Sequence, residues 1–116
     1  MAEKRVIVEL GMGTDIRGSD STKASVRALR DALWRNSLGI AGALGLGYDA
    51  MRVKILIGVP NPGSVDKDQV LAVLPHGSGT VEVVEGGLEV PNAATGDRTI
   101  IAHAAAIVSL DMPEGR

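Results

Sequence analysis

The 116-residue chain has no cysteine and no phenylalanine, and its aromatic side chains amount to one Trp and one Tyr. The absence of cysteine excludes disulfides, thiolate nucleophiles and cysteine-ligated zinc or iron–sulfur centres, and it suits a reducing compartment. Aromatic side chains bury the largest areas per residue. Without them the core has to be assembled from Val, Ile, Leu and Ala, a thin core that subunit association would supplement. No stretch approaches the ~20 apolar residues of a membrane span, and the N-terminus lacks the hydrophobic region of a signal peptide, so a cytoplasmic protein without membrane contact is expected. Strong charge of one sign is missing too. Twelve Lys and Arg face 14 Asp and Glu for a formal net charge of −2, which gives no general attraction for nucleic acid. Anion binding, if present, has to be local.

The patterning that is present describes a single α+β domain over residues 1–116. KRVIVEL (4–10) is a short β-branched strand, with Val8 and Leu10 on one face and Glu9 on the other. A glycine-rich stretch follows, and a cap at Ser19 or Asp20 opens a helix to about residue 36. Its core stripe is Thr22, Ser25, Val26, Leu29, Ala32 and Leu33, and Lys23, Arg27, Arg30 and Trp34 form a second stripe. Residues 37–50 read as a loop. MRVKILIGV (51–59) alternates as a strand, with Arg52 and Lys54 opposite Val53, Ile55 and Ile57, and Pro60 to Gly63 ends it. Asp66 with Gln69 forms a capping box for a short helix closed by Pro75. Residues 80–84 are a strand, the glycines at 86 and 87 mark a bulge or bend before Leu88 to Val90, and TIIAHAAAIVSL (99–110) reads as a strand. The order β-α-β-α-β-β predicts a four-stranded mixed sheet with two helices on one face. The opposite face would collect Glu9, Lys54 and Glu82 among apolar residues, a mixture suited to a partner subunit or a ligand.

The candidate site centres on Gly11 to Lys23. Glycines permit close backbone approach, and the following helix offers unpaired N–H groups and a positive dipole end, so Gly13, Thr14, Asp15, Ser19 and Thr22 are candidate ligand-binding groups. The glycines at 11, 13 and 18 lie too far apart for the G-x-G-x-x-G spacing and lack the G-x-x-x-x-G-K-[ST] order, so no nucleotide cofactor is expected. Lys23 sits in the first helical turn, against the dipole, where a bound anion would recruit it, and Arg27 extends that cationic stripe. Glu82, Glu85 and Glu89 are the candidates for acid or base work, since burial on a sheet face raises a carboxylate pKa, and Glu9, Glu82 or His76 would move a proton. His103, among alanines and isoleucines, reads as a core histidine. Two histidines without clustered carboxylates make no metal site.

GMGTDIRGSDSTKASVRALRDAL, MRVKILIGVPNPGSVD, LPHGSGTVEVVEGGLEVP and GDRTIIAHAAAIV together resemble a family of small conserved hypothetical proteins over nearly the whole chain. More distantly the element order resembles the trimeric chorismate-mutase-like and enamine-deaminase proteins, and one repeat of the ring-opening cyclic amide hydrolases, the cyanuric acid hydrolase and barbiturase group. These resemblances imply a trimer with ligand sites between subunits. Thr22-Lys23 approximates the Thr-Arg-like pair of those hydrolases, whereas Ile57-Gly58-Val59-Pro60 stands where their nucleophilic Ser-Gly-Gly would be.

The functional expectation is a homo-oligomer, by resemblance a trimer, that binds a small polar, anionic or cyclic amide-like molecule between subunits, with Lys23, His76 and Glu82 as catalytic groups and Arg27 and Glu85 among the ligand contacts. Hydrolysis or deamination by an activated water is the chemistry such a site would carry. The alternative is a noncatalytic scaffold subunit whose charged sheet face is its contact surface.

Overall fold

The computed structural model describes residues 2–34, 51–74 and 78–112. Strand β1 spans Ala2–Asp15, helix α1 Ser21–Trp34, β2 Met51–Val59, a 3₁₀ turn Pro62–Ser64, α2 Lys67–Leu71, β3 Ser78–Glu85, β4 Leu88–Pro91 and β5 Arg98–Met112. The loop expected over 37–50, the side chain of Trp34, Pro75 and His76 lie outside the described residues. The five strands form one mixed sheet in the order β1-β5-β2-β3, with β4 also paired to β5. β5 is the spine. It runs antiparallel to both β1 and β2, and β2 and β3 are parallel.

The α+β class, the mixed sheet and the two helices on one face agree with the sequence pattern. A fifth strand is added where a bend was expected. Gly87 has φ +64, a left-handed conformation, and a Cβ there would run into the Ile101 carbonyl. The Gly86 N–H donates to the Val59 carbonyl at 2.9 Å, so the chain crosses the end of β2 and pairs Leu88 with Ile101 on β5.

β1 is also longer than expected, because Gly11 and Gly13 continue the strand. Among the described glycines only Gly87 and Gly96 have positive φ, so Gly11 and Gly13 are extended like their neighbours. Their missing side chains serve packing. A Cβ on Gly11 would stand 2.9 Å from the Ala32 Cα, and one on Gly13 would stand 2.5 Å from the Ala24 carbonyl oxygen. Helix α1 thus lies directly on the β1 backbone through Ala24, Ala28 and Ala32, all fully buried. This contact rotates the helix. Ser21, Thr22, Ala24, Ser25, Ala28, Leu29 and Ala32 are buried, while Val26 and Leu33, expected in the stripe, flank the core.

The core fills the space between the helices and one sheet face, with Val53, Ile55 and Ile57 from β2, Ala102, Ala104, Ala106 and Val108 from β5, and Val70 from α2. Glu9 belongs to this helix side, in register with Ala106, and not to the opposite face with Lys54 and Glu82. The pleat decides this, since residues paired across an antiparallel ladder share a face.

Alanine at position 13 would drive a Cβ into helix backbone that no rotamer change relieves. Gly13→Ala is expected to cost about 3 kcal/mol, whereas Gly63→Ala, with nothing within 4 Å of its Cβ, should stay within about 0.5 kcal/mol. Denaturant midpoints of the two variants check the contrast.

Candidate functional site

At the end of β1 the chain turns through residues 16–20 into α1, and a buried carboxylate organises the turn. Asp15, 6% exposed, accepts the Asp20 N–H at 2.9 Å. Its other oxygen lies 3.4 Å from Arg27 Nη1, which also donates to the Thr14 carbonyl at 2.6 Å. Ser19 takes φ 50, a left-handed conformation rare outside glycine, and its Oγ donates to the Arg98 carbonyl at 3.4 Å. Thr99 Oγ1 donates to the Ile16 carbonyl at 3.0 Å, which fastens the turn to β5. Asp20 caps α1 by accepting the Lys23 N–H at 3.0 Å.

A second connection joins the two helix starts. Thr22 Oγ1 donates to the Ser64 carbonyl and accepts the Asp66 N–H at 2.9 Å. Asp66 in turn caps α2, accepting from the Asp68 and Gln69 N–H groups and from the Gln69 side chain; the cap is as the pattern predicts, but the Asp66 N–H donates to Thr22 in place of the reciprocal bond to Gln69 that completes a capping box. The Gln69 side-chain and backbone hydrogen bonds hold the Asp66 carboxyl below the ordinary aspartate range.

Of the residues singled out in the sequence, Thr14, Asp15, Ser19, Thr22 and Arg27 converge at this end of the sheet, with Lys23 exposed on the first turn of α1. Gly13 lies beneath the helix and serves packing. Glu85 ends β3 opposite Val59, and the turn Pro62–Ser64 packs between α1 and β3. Glu82 does not join them. It is exposed on the face away from the helices, 3.2 Å from Lys54 Nζ, so the sheet separates it from Lys23 within one chain. His103 is likewise exposed on that face, not in the core, because its pleat position is opposite to that of Ala102 and Ala104.

Two features escaped sequence reasoning. Arg27 and Asp31 reach over the free edge of β1, Arg27 onto the Thr14 carbonyl and Asp31 Oδ2 onto the Met12 N–H at 3.0 Å. This covers backbone groups that an edge strand otherwise offers to another chain. The i, i+4 spacing of the pair was visible, but its target was not. The other feature is a hollow of about 310 Å³ beside the turn, lined by Ile16, Arg17, Asn92, Thr95, Asp97 and Thr99. Among the described residues no group of three or more His, Asp or Glu could hold a metal ion.

A family model for "Conserved hypothetical protein (Lin0512_fam)" matches residues 5–108. The chain belongs to this family. A solved FtsZ-like protein of unknown function from Nostoc punctiforme is similar to it, with 38% identity, a TM-score of 0.87, and coverage of 97% of this chain and 99% of that one. No curated protein matches the chain. Membership accounts for the sequence resemblance over nearly the whole chain, and the agreement in fold with the Nostoc protein extends over nearly the full length of both. No described helix in this family member is long and apolar enough to cross a membrane.

Because its folded-state pKa is lowered, the Asp66 carboxylate contributes stability that is present above the ordinary value of 3.8 and lost as pH falls through the lowered one. A carboxyl-detected NMR titration should put Asp66 below 3.8, and Asp66→Asn, which keeps the capping oxygen, should remove that pH dependence with little loss of α2.

Proposed function

We propose that this protein is a self-associating subunit that holds a small polar or anionic molecule beside the turn at residues 16–20. The observation that carries the reading is the bare sheet face. Leu10 is 64% and Met12 56% exposed on β1, and Val84 on β3 and Leu88 on β4 are exposed with them. A solvated face of an antiparallel sheet normally alternates to polar residues. Here the outward positions are largely apolar, as in surfaces that pack on another protein. The radius of gyration, 15.8 Å, exceeds the roughly 13 Å of a compact domain of this length. Packing this sheet on a second copy would add the buried area that an aromatic-poor core lacks. A trimer, the arrangement that the chorismate-mutase-like resemblance implies, is one such assembly.

For the ligand, the support is the rigidity of the turn. Buried Asp15, the Arg27 contacts and the ties to Arg98 and Thr99 fix its backbone, and Arg17 stands at the rim of the adjoining hollow. With the Asp97 carboxylate in the same lining, Arg17 and the Asn92, Thr95 and Thr99 side chains would donate to the carboxylate or carbonyl oxygens of a small acid or cyclic amide, and Asp97 would accept from an amide N–H. One observation favours a second reading, the noncatalytic scaffold. The polar groups of Asp15, Thr22 and Arg27 are engaged within the chain and serve the fold.

Light scattering during size exclusion should give a mass above that of one 12.0 kDa chain, and Leu10→Asp should shift it to the monomer without unfolding. A monomeric wild type removes the association. In thermal shift assays with succinate, succinimide and barbiturate, a ligand at 100 times its dissociation constant adds about 2.7 kcal/mol, and Arg17→Ala should abolish the gain. Absence of any shift with all three favours the scaffold.

A further inference from the structure

We propose that self-association through the uncovered sheet face is switched by His103, whose neutral imidazole packs against a second copy of this chain and whose protonated form releases it. The inference rests on the association proposed above and adds its regulation. The face is arranged like a subunit interface, apolar over most of its area with charge toward one end. Val8, Leu10 and Met12 on β1, Val84 on β3 and Leu88 on β4 are exposed there, and the Lys54–Glu82 pair stands toward the start of β2. A formal net charge of −2 gives two copies little mutual repulsion.

His103 is set among the apolar side chains. It lies on the inner strand β5, in register with Met12 on β1 and Gly58 on β2, and the next outward positions along its own strand are Ile101 and Ala105. A hollow of about 500 Å³ beside it is walled by Leu10 and Met12. A second copy presenting the same face brings a Leu10 and a Met12 to fill this hollow, and a further His103. Filling it strips water from the imidazole. A neutral ring tolerates that loss, whereas burial penalises the charged form, and two imidazolium rings brought together repel.

The charged groups around His103 stand off from it. Asp31 lines the same hollow, but its Oδ2 accepts the Met12 N–H at 3.0 Å, which holds the carboxylate at the free edge of β1, one strand away from His103. Lys54 is level with Ile107, about 13 Å along β5, and its partner Glu82 is in register with Leu56. Arg52, level with Ser109, is further still. In the other direction Arg17 and Asp97 lie beside Thr99, about 13 Å away along β5. Glu85 and Glu89 share the helix side with buried Val59 and Ile100, and Arg98 pairs with Glu89. Separated chains therefore bind protons more readily than the assembly does. Association weakens as pH falls through the range in which imidazole gains its charge, roughly pH 8 to 5.

The test is the dissociation constant of the full chain by sedimentation equilibrium at about pH 8 and about pH 5.5, at fixed ionic strength, with circular dichroism confirming the fold at both. The constant should rise about tenfold at the lower pH. His103→Gln, neutral throughout, should remove this rise, and His76→Gln, which changes the other histidine of the chain, should leave it in place. Dilution calorimetry in two buffers of unlike ionisation enthalpy should show the wild type taking up protons as it dissociates. That measurement needs no variant, so it decides the matter even where His103→Gln fails to assemble, and absence of uptake overturns the switch. A dissociation constant that is flat with pH, or that falls at the lower pH because Asp31 holds the imidazolium, overturns it while leaving the association standing. The rise surviving in His103→Gln, or vanishing in His76→Gln, overturns it too. A wild type that is monomeric at both pH values removes the association and the switch together.

Discussion

The contact between α1 and the bare backbone of β1 sets the position of almost everything else in this molecule. Gly11 and Gly13 remove the side chains that hold a helix away from a sheet, and Ala24, Ala28 and Ala32 present the smallest chiral side chains to the gap. Dense packing tolerates no added methyl group there. The close seat brings Arg27 and Asp31 within reach of the free edge of β1, and it delivers the start of α1 onto Asp15. Edge protection and turn geometry are therefore consequences of one interface.

That interface also explains how a nearly neutral chain without aromatic bulk positions its charges. Asp15 is buried, yet it is met by a backbone N–H and by the half-exposed Arg27, so its desolvation is offset locally. Thr22 bridges α1 to the cap of α2, which makes the two helix starts one polar cluster at the end of parallel strands β1, β2 and β3. Open sheets commonly offer ligands a crevice at such ends. On the other face nothing from the described chain covers β1, β5, β2 and β3, and apolar and cationic side chains stand together there.

Much of this was legible in the residues. Alternation in MRVKILIGV gave β2 its limits and its two faces, the Asp66 and Gln69 pair gave the cap of α2, and the Ile-rich run before residue 110 gave β5. The turn polar groups were legible as a set, since Asp15, Ser19, Thr22 and Arg27 are close in sequence and meet through local helix geometry. The faces of Glu9 and His103 were not legible. Their surroundings depend on which face of a strand the helices cover, a fact that spacing within the strand leaves undetermined.

The sequence by itself determined the α+β class, the cap of α2 and the small-residue core, because propensity, capping and period act over a few neighbouring residues. Only tertiary structure decided that Gly11 and Gly13 are strand positions beneath a helix and that the chain crosses at Gly87 to form β4. The same holds for the pairing of Lys54 with Glu82 away from Lys23. Glycine has one sequence signature for two physical uses, tight turning and close approach. Which use applies is set by the element that packs against it.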